Sequence, residues 1–413
     1  MASSNVTPYK IDVPDAAINR LKDKLAVSDL PDVVDFSNDW AYGAPRDDVQ
    51  RLAKYWQHGF DWRAQEAKLN AELPQFKTTV NVEGFGELNI HLVHKKSPRS
   101  GSVPLLFCHG WPGHFMEVAK ILPLLTEARG GGPSFHVVAP SLPNYAFSDG
   151  VQKRGFSIPQ YAEVCHKVML GLGYDKYVTQ GGDWGYWITR MMGVLYPTHC
   201  LASHVNMVGA TKPPSLRRTP LIYIQDKLTV SGSHGNEFRQ RSEWFRDEGR
   251  GYNIEQSTRP STIGIALTDP VSLLAWIYEK LHDWTDSYPW TDDEILTWIS
   301  IYQFSTAGAA ASVRIYYETT HAELETTAKT HDYVPNVPLG LSYFPKDLVL
   351  PPLTWGRTLG PVVYEKVHTS GGHFAAHERP EALVRDVKSM FEGGAKHIVA
   401  QFARETIAPR SKL

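Results

Sequence analysis

The chain has 413 residues, with 42 Lys and Arg against 44 Asp and Glu, and 42% of its residues are hydrophobic. The even charge argues against a nucleic-acid binder, and the apolar content argues against a disordered chain. Three widely spaced cysteines, Cys108, Cys165 and Cys200, exclude a disulfide-dense scaffold and a four-thiolate zinc site. No apolar run approaches the ~20 residues needed to span a bilayer. The first 17 residues lack the apolar core of a secretory signal.

In chain order, the first ~75 residues read as helical and loopy, with amphipathic runs at Val13–Leu25 and Asp47–Leu69 and Pro and Gly breaks between them. The period then changes. Lys77–Val82 and Leu88–His94 alternate as strands around a glycine-containing turn. From about residue 100 the pattern becomes strand–turn–helix. Apolar strands are predicted at Val103–Cys108, Phe135–Ala139, Lys176–Gln180 and His204–Val208. Helices are predicted at Met116–Leu125, Tyr161–Leu172 and Trp184–Leu195. Apolar strands alternating with helices imply a mostly parallel sheet covered on both faces. The alternation stops near Pro213-Pro214. Residues 211–330 show helical stretches (Val271–Trp284, Asp292–Ser300) and no clear strand. Strands return at Leu341–Phe344 and Val362–Val367, followed by a helix at Pro380–Phe391. A helical insertion in an α/β sheet, covering the ligand crevice, is the economical reading.

The most specific local feature is Gly181-Gly182-Asp183-Trp184-Gly185, between a predicted strand and a predicted helix. Small residues flank a central side chain where a sharp strand-to-helix turn exposes a nucleophile at the sheet edge. Here that side chain is a carboxylate, and no Gly-x-Ser-x-Gly occurs in the chain. A carboxylate nucleophile implies an ester intermediate and an electrophilic sp3 carbon with a leaving group. The competing reading is that Asp183 only caps its helix. His109-Gly110-Trp111-Pro112-Gly113, after another strand, suits the loop that supplies one donor of an oxyanion hole. The backbone N–H groups of Trp111 and Trp184 are the candidates.

A base must then activate water. Of 17 histidines, His373 stands out in Ser370-Gly371-Gly372-His373-Phe374, after the last predicted strand and before the last helix. Asp347, after the strand Leu341–Phe344, is the acid expected to orient it, with Asp332 in reserve. Tyrosine phenols of the insertion suit protonation of a leaving oxygen. The residues alone do not say which tyrosines face the site.

Taken together, these motifs resemble the epoxide hydrolases of the microsomal type, a branch of the α/β-hydrolase fold. The likeness runs through nearly the whole chain. It includes Tyr55-Trp56, Phe60-Asp61-Trp62-Arg63, Pro74-Gln75-Phe76 and His91-Leu92-Val93-His94 in the leading region. In the insertion it includes Tyr252, Thr258-Arg259-Pro260-Ser261-Thr262-Ile263-Gly264 and Arg314-Ile315-Tyr316-Tyr317-Glu318. Near the end come Phe344-Pro345-Lys346-Asp347 and Gly371-Gly372-His373-Phe374. The resemblance implies Asp183 as nucleophile, His373 as water-activating base and Asp347 as its charge partner. It also implies Tyr252 and Tyr316 as holders of the epoxide oxygen, Tyr316 being chosen over its neighbour Tyr317 by motif spacing. It implies a small-molecule epoxide as substrate, a diol as product, and no metal or other cofactor.

The expected organisation is a leading region (1–95), a first core segment (96–210), a helical cap (211–330) and a second core segment with tail (331–413). Membrane-bound relatives carry an apolar N-terminal anchor that this sequence lacks, so a soluble protein is expected. The final Ser411-Lys412-Leu413 reads as a peroxisomal address recognised by an import receptor; without it a cytoplasmic location is expected. Competing readings are a haloalkane dehalogenase, a cyclase that opens an epoxide intramolecularly, and a catalytically silent binding protein. The epoxide itself, the choice between monomer and homodimer, and a detoxifying or biosynthetic role stay open.

Overall fold

In the computed structural model, which describes residues 6–127, 132–229, 240–241, 243–323 and 328–407, the strand-forming runs share one sheet. Its strands are β1 (Thr7–Tyr9), β2 (Gln75–Val82), β3 (Gly86–Lys95), β4 (Val103–Cys108), β5 (Phe135–Pro140), β6 (Tyr177–Gly181), β7 (Cys200–Val205), β8 (Leu339–Tyr343) and β9 (Val362–Val367). Their spatial order is β1-β2-β3-β5-β4-β6-β7-β8-β9. β1, β2, β3 and β5 pair antiparallel; from β5 through β9 every pairing is parallel. Every residue of β4, β6 and β8 is buried, as strands covered on both faces must be. β2 alternates buried and exposed residues along its second half instead.

The helices Ile158–Gly171 and Trp184–Leu195 pack together on one face. Ile121–Thr126, Pro380–Glu392 and Lys396–Ile407 cover the other. Between β7 and β8 the described residues contain helices and no strand, among them Gly251–Thr258, Pro270–Asp283, Asp292–Gln303 and Arg314–Thr320. This cap is braced from the leading region. The helix Arg46–His58 packs on Pro270–Asp283 and Asp292–Gln303. Trp56 Nε1 donates to Ser300 Oγ at 3.1 Å, and Arg51 pairs with Asp292.

Several boundaries differ from the sequence expectation, each for a local reason. Asp47–Leu69 is two helices, Arg46–His58 and Trp62–Glu72. A Cβ at Gly59 would lie 2.6 Å from the Tyr55 ring, and Asp61 restarts the helix by accepting from Ala64 N–H. Met116–Leu125 is a 3-10 turn, Phe115–Val118, then a short helix from Ile121. Pro123 lacks an N–H for a longer helix and fits only a first turn. The strand expected at His204–Val208 is β7, Cys200–Val205, because its partner β6 ends at Gly181, opposite Val205. β1 and Lys396–Ile407 were not expected; three residues are too few to show a period. Among the described residues no single helix is long and apolar enough to cross a membrane. The tail Ser411-Lys412-Leu413 lies outside the described residues.

One buried cation ties the helix Trp184–Leu195 to the chain leaving the cap. Arg190 is 4% exposed and donates to the carbonyls of Thr330, Asp332 and Leu359 at 2.6, 2.8 and 2.9 Å. Arg190→Met is expected to lower the unfolding free energy by about 3 kcal/mol, because buried carbonyls lose their donors. Urea denaturation measures this, and an unmoved midpoint would refute it.

Candidate active site

The site starts from a backbone constraint. Asp183 stands between β6 and the helix Trp184–Leu195 with φ +50° and ψ −130°, a conformation that side chains with a Cβ rarely adopt. The neighbouring glycines make it achievable. A Cβ on Gly181 would lie 2.4 Å from the Gly185 carbonyl oxygen, and a Cβ on Gly185 2.0 Å from that of Cys108. The turn presents the Asp183 carboxylate, 9% exposed, beyond the C-terminal end of β6.

The loop after β4 meets that carboxylate. Trp111 N–H donates to Asp183 Oδ1 at 2.7 Å. The approach requires glycine at 110, whose Cβ would sit 2.1 Å from the same oxygen. The Trp111–Pro112 peptide is cis. Trp184 opens the next helix, so its N–H is among the first-turn donors that have no partner within the helix. Its indole meets the Tyr316 ring edge-on, at 4.8 Å between centroids.

On the other side of the carboxylate, His373 Nε2 is 3.3 Å from Asp183 Oδ2, and His373 Nδ1 is 2.7 Å from Asp347 Oδ1. Two loops are joined to bring these groups together. Lys346 N–H donates to the Gly371 carbonyl at 3.0 Å, a parallel bridge between the segments after β8 and β9. Gly371 has φ +109°, and its Cβ would lie 2.7 Å from the Phe344 ring. Burial by itself would lower the pKa of His373. The Asp347 charge, a hydrogen bond to each of Asp183 and Asp347, and the Asp183 charge outweigh burial and raise it to about 10. In this arrangement the imidazole holds its proton at neutral pH, between two carboxylates. The reserve acid Asp332 is instead a surface residue paired with Lys212 at 2.9 Å.

The cap supplies a buried aromatic roof. The Tyr252 ring stacks on Trp111 at 5.3 Å and lies 5.9 Å from the Tyr316 ring. The Tyr316 ring also packs edge-on against Trp111, at 5.7 Å. Burial raises the Tyr252 phenol well above its usual range, and the Asp183 charge adds to this. For Tyr316 burial again leads, followed by Tyr252 and Asp183. Both phenols therefore keep their protons. Tyr317 stacks on His321 at 3.9 Å and borders a separate surface cavity.

Three neighbours of these groups lie outside the sequence motifs. The Trp284 carbonyl accepts the His373 backbone N–H at 2.7 Å, and its ring packs edge-on against the imidazole at 5.1 Å. Arg241 Nε donates to the Asp347 carbonyl at 2.6 Å. Glu117 borders the same small cavity as Asp183 and His373. An acid four residues after Gly113, inside an apolar stretch, was the only sequence signal for Glu117. Among the described residues, no group of three His, Cys, Asp or Glu is arranged to hold a metal ion.

Comparison with known proteins gives the same direction. The family model "Epoxide hydrolase N terminus" matches residues 6–118, and that of the alpha/beta hydrolase fold matches residues 103–231. Epoxide hydrolase 1 of Oryctolagus cuniculus is 33% identical, over 94% of this chain and 89% of its own length. The solved structure of Aspergillus niger epoxide hydrolase aligns with a TM-score of 0.81 at 34% identity, covering 95% of this chain and 97% of that one. The juvenile hormone epoxide hydrolase of Bombyx mori aligns with a TM-score of 0.83 at 28% identity, covering 97% and 96%. The chain belongs to the epoxide hydrolase family of the α/β-hydrolase fold.

Proposed function

We propose that this epoxide hydrolase works in two steps through an alkyl ester on Asp183. Supporting this is one observation above all: a single carboxylate lies between a backbone donor and an imidazole, under two phenols that keep their protons. In the first step Asp183 Oδ2 attacks an epoxide carbon and the carbon–oxygen bond breaks. Tyr252 and Tyr316 donate hydrogen bonds to the ring oxygen; one phenol gives its proton to the alkoxide as it forms, and the proton that His373 releases once Asp183 is esterified restores that phenol. Oδ1, held by Trp111 N–H, becomes the ester carbonyl oxygen.

In the second step water attacks the Asp183 carboxyl carbon while His373 Nε2 takes its proton. Trp111 and Trp184 N–H stabilise the tetrahedral oxyanion. Collapse expels the diol oxygen, which takes the proton from His373, and the Asp183 carboxyl group returns its own proton to His373, restoring the resting pair. The first step prepares the second. Esterification removes the negative charge and the hydrogen bond of Asp183, two of the groups that hold the imidazole proton. The pKa of His373 then falls, and it can act as a base. Asp347 keeps the ring oriented and stabilises the imidazolium. The buried aromatic roof favours apolar or aromatic epoxides. Where Ser411-Lys412-Leu413 forms the free carboxyl end, it reads as an address for peroxisomal import.

Rapid mixing with styrene oxide tests the chemistry. Asp183→Asn is expected to lose about 10⁴-fold or more in turnover. His373→Gln is expected to accumulate protein heavier by one substrate. In labelled water the first turnover should place label in Asp183 and not in the diol; the reverse would exclude the ester. Tyr252→Phe and Tyr316→Phe are each expected to slow alkylation about 10²-fold, and unchanged alkylation in both would remove them from the scheme.

The rate of ester hydrolysis is expected to rise with pH and then level off, because only the neutral imidazole accepts a proton. Its midpoint should lie below the resting value of about 10, since Asp183 no longer carries charge. A midpoint equal to the resting one, found by titrating the free enzyme, would contradict the coupling.

A fluorescent reporter ending in the last residues of this chain is expected to collect in peroxisomes. A diffuse signal would reject the address.

A further inference from the structure

The two-step reading leaves open what holds the attacking water besides His373. A cavity of about 10 Å³ lies beside the nucleophile, bordered by Gly110, Gly113, Glu117, Asp183, Asn206 and His373 among others. That is the room of a single water, which needs two to four polar partners. All its lining residues come from the core and none from the cap tyrosines' helices. Its border includes both Asp183 and His373, so a water held there lies beside the two reacting groups.

Glu117 is built into this cavity. The Gly110 and Gly113 positions of one short loop each leave space for a carboxyl group. A Cβ at Gly110 would meet Asp183 Oδ1 at 2.1 Å, and one at Gly113 would meet Glu117 Oε1 at 1.8 Å. Burial raises the Glu117 carboxyl to about 8; the His373 charge opposes this rise and the Asp183 charge adds to it. The ionisable groups around it are Asp183, His373, Cys108 at the end of β4 and Tyr302 of the cap helix Asp292–Gln303. Tyr302 OH is committed to the Gly113 carbonyl at 2.6 Å.

We infer that Glu117 is a further catalytic residue of ester hydrolysis, holding the attacking water in this cavity together with His373. One water hydrogen goes to His373 Nε2 as the oxygen bonds to the Asp183 carboxyl carbon. The other is fixed by hydrogen bonding to Glu117, which aims a lone pair at that carbon. Glu117 takes no part in opening the epoxide.

This inference rests on the ester mechanism proposed above, and the test separates the two. Alkylation and ester hydrolysis are timed in single turnovers of styrene oxide by intact-protein mass. Glu117→Met keeps the length of the side chain and removes both oxygens. It is expected to alkylate within about twofold of the unaltered enzyme and to hydrolyse the ester about tenfold more slowly, as for one lost hydrogen bond to a reacting group. Glu117→Gln should recover part of the loss. Hydrolysis by Glu117→Met within twofold of the unaltered enzyme, or an equal loss in both steps, would overturn the inference. Should Glu117→Met fail to fold, Glu117→Gln decides alone: hydrolysis slowed at least about threefold with alkylation intact supports it, and unchanged hydrolysis overturns it. If the unaltered enzyme and His373→Gln never form an ester, the ester mechanism itself fails.

Discussion

The arrangement depends on holding one carboxylate between two partners in a nearly closed site. A buried carboxylate without hydrogen-bonding partners is costly. Asp183 is held by a backbone donor on Oδ1 and an imidazole on Oδ2. That imidazole is in turn held by Asp347. The strained turn at φ +50° is the cost of placing the carboxylate where both partners reach it. The glycines at 181, 185 and 110 are what the local geometry demands in return.

Desolvation acts differently on the groups around this centre. It raises the phenols of Tyr252 and Tyr316, so they remain donors. It would strip His373 of its proton, but the two carboxylates reverse that effect. Groups of different chemistry thus reach complementary states in one enclosed volume, because the imidazole, unlike the phenols, lies between two carboxylates.

The core of this plan was readable in the sequence because its constraints are local. Gly-x-Asp-x-Gly between an apolar strand and a helix marks a sharp turn, and Gly-Gly-His after the last strand marks a close approach. Continuous apolar strands identified the parallel sheet, and the loss of strand pattern after Pro213-Pro214 identified the cap. What escaped was set by tertiary packing. Trp284 contributes a carbonyl, which leaves no mark in side-chain chemistry. Arg241 reaches the Asp347 carbonyl from another segment of the cap. β7 begins earlier than its hydrophobic pattern suggests, since its register follows β6. At Gly59 the Tyr55 ring packs where a Cβ would not fit, a contact that no periodicity reveals.

The bond from His373 N–H to the Trp284 carbonyl has a bearing on traffic through the enzyme. Trp284 ends a helix of the cap, so that helix is fastened to the loop that carries the His373 imidazole. That helix is also gripped from behind by Arg46–His58. Swinging the roof away as a hinged door would unseat the imidazole along with it. The fastening keeps the end of that helix and the His373 loop in register.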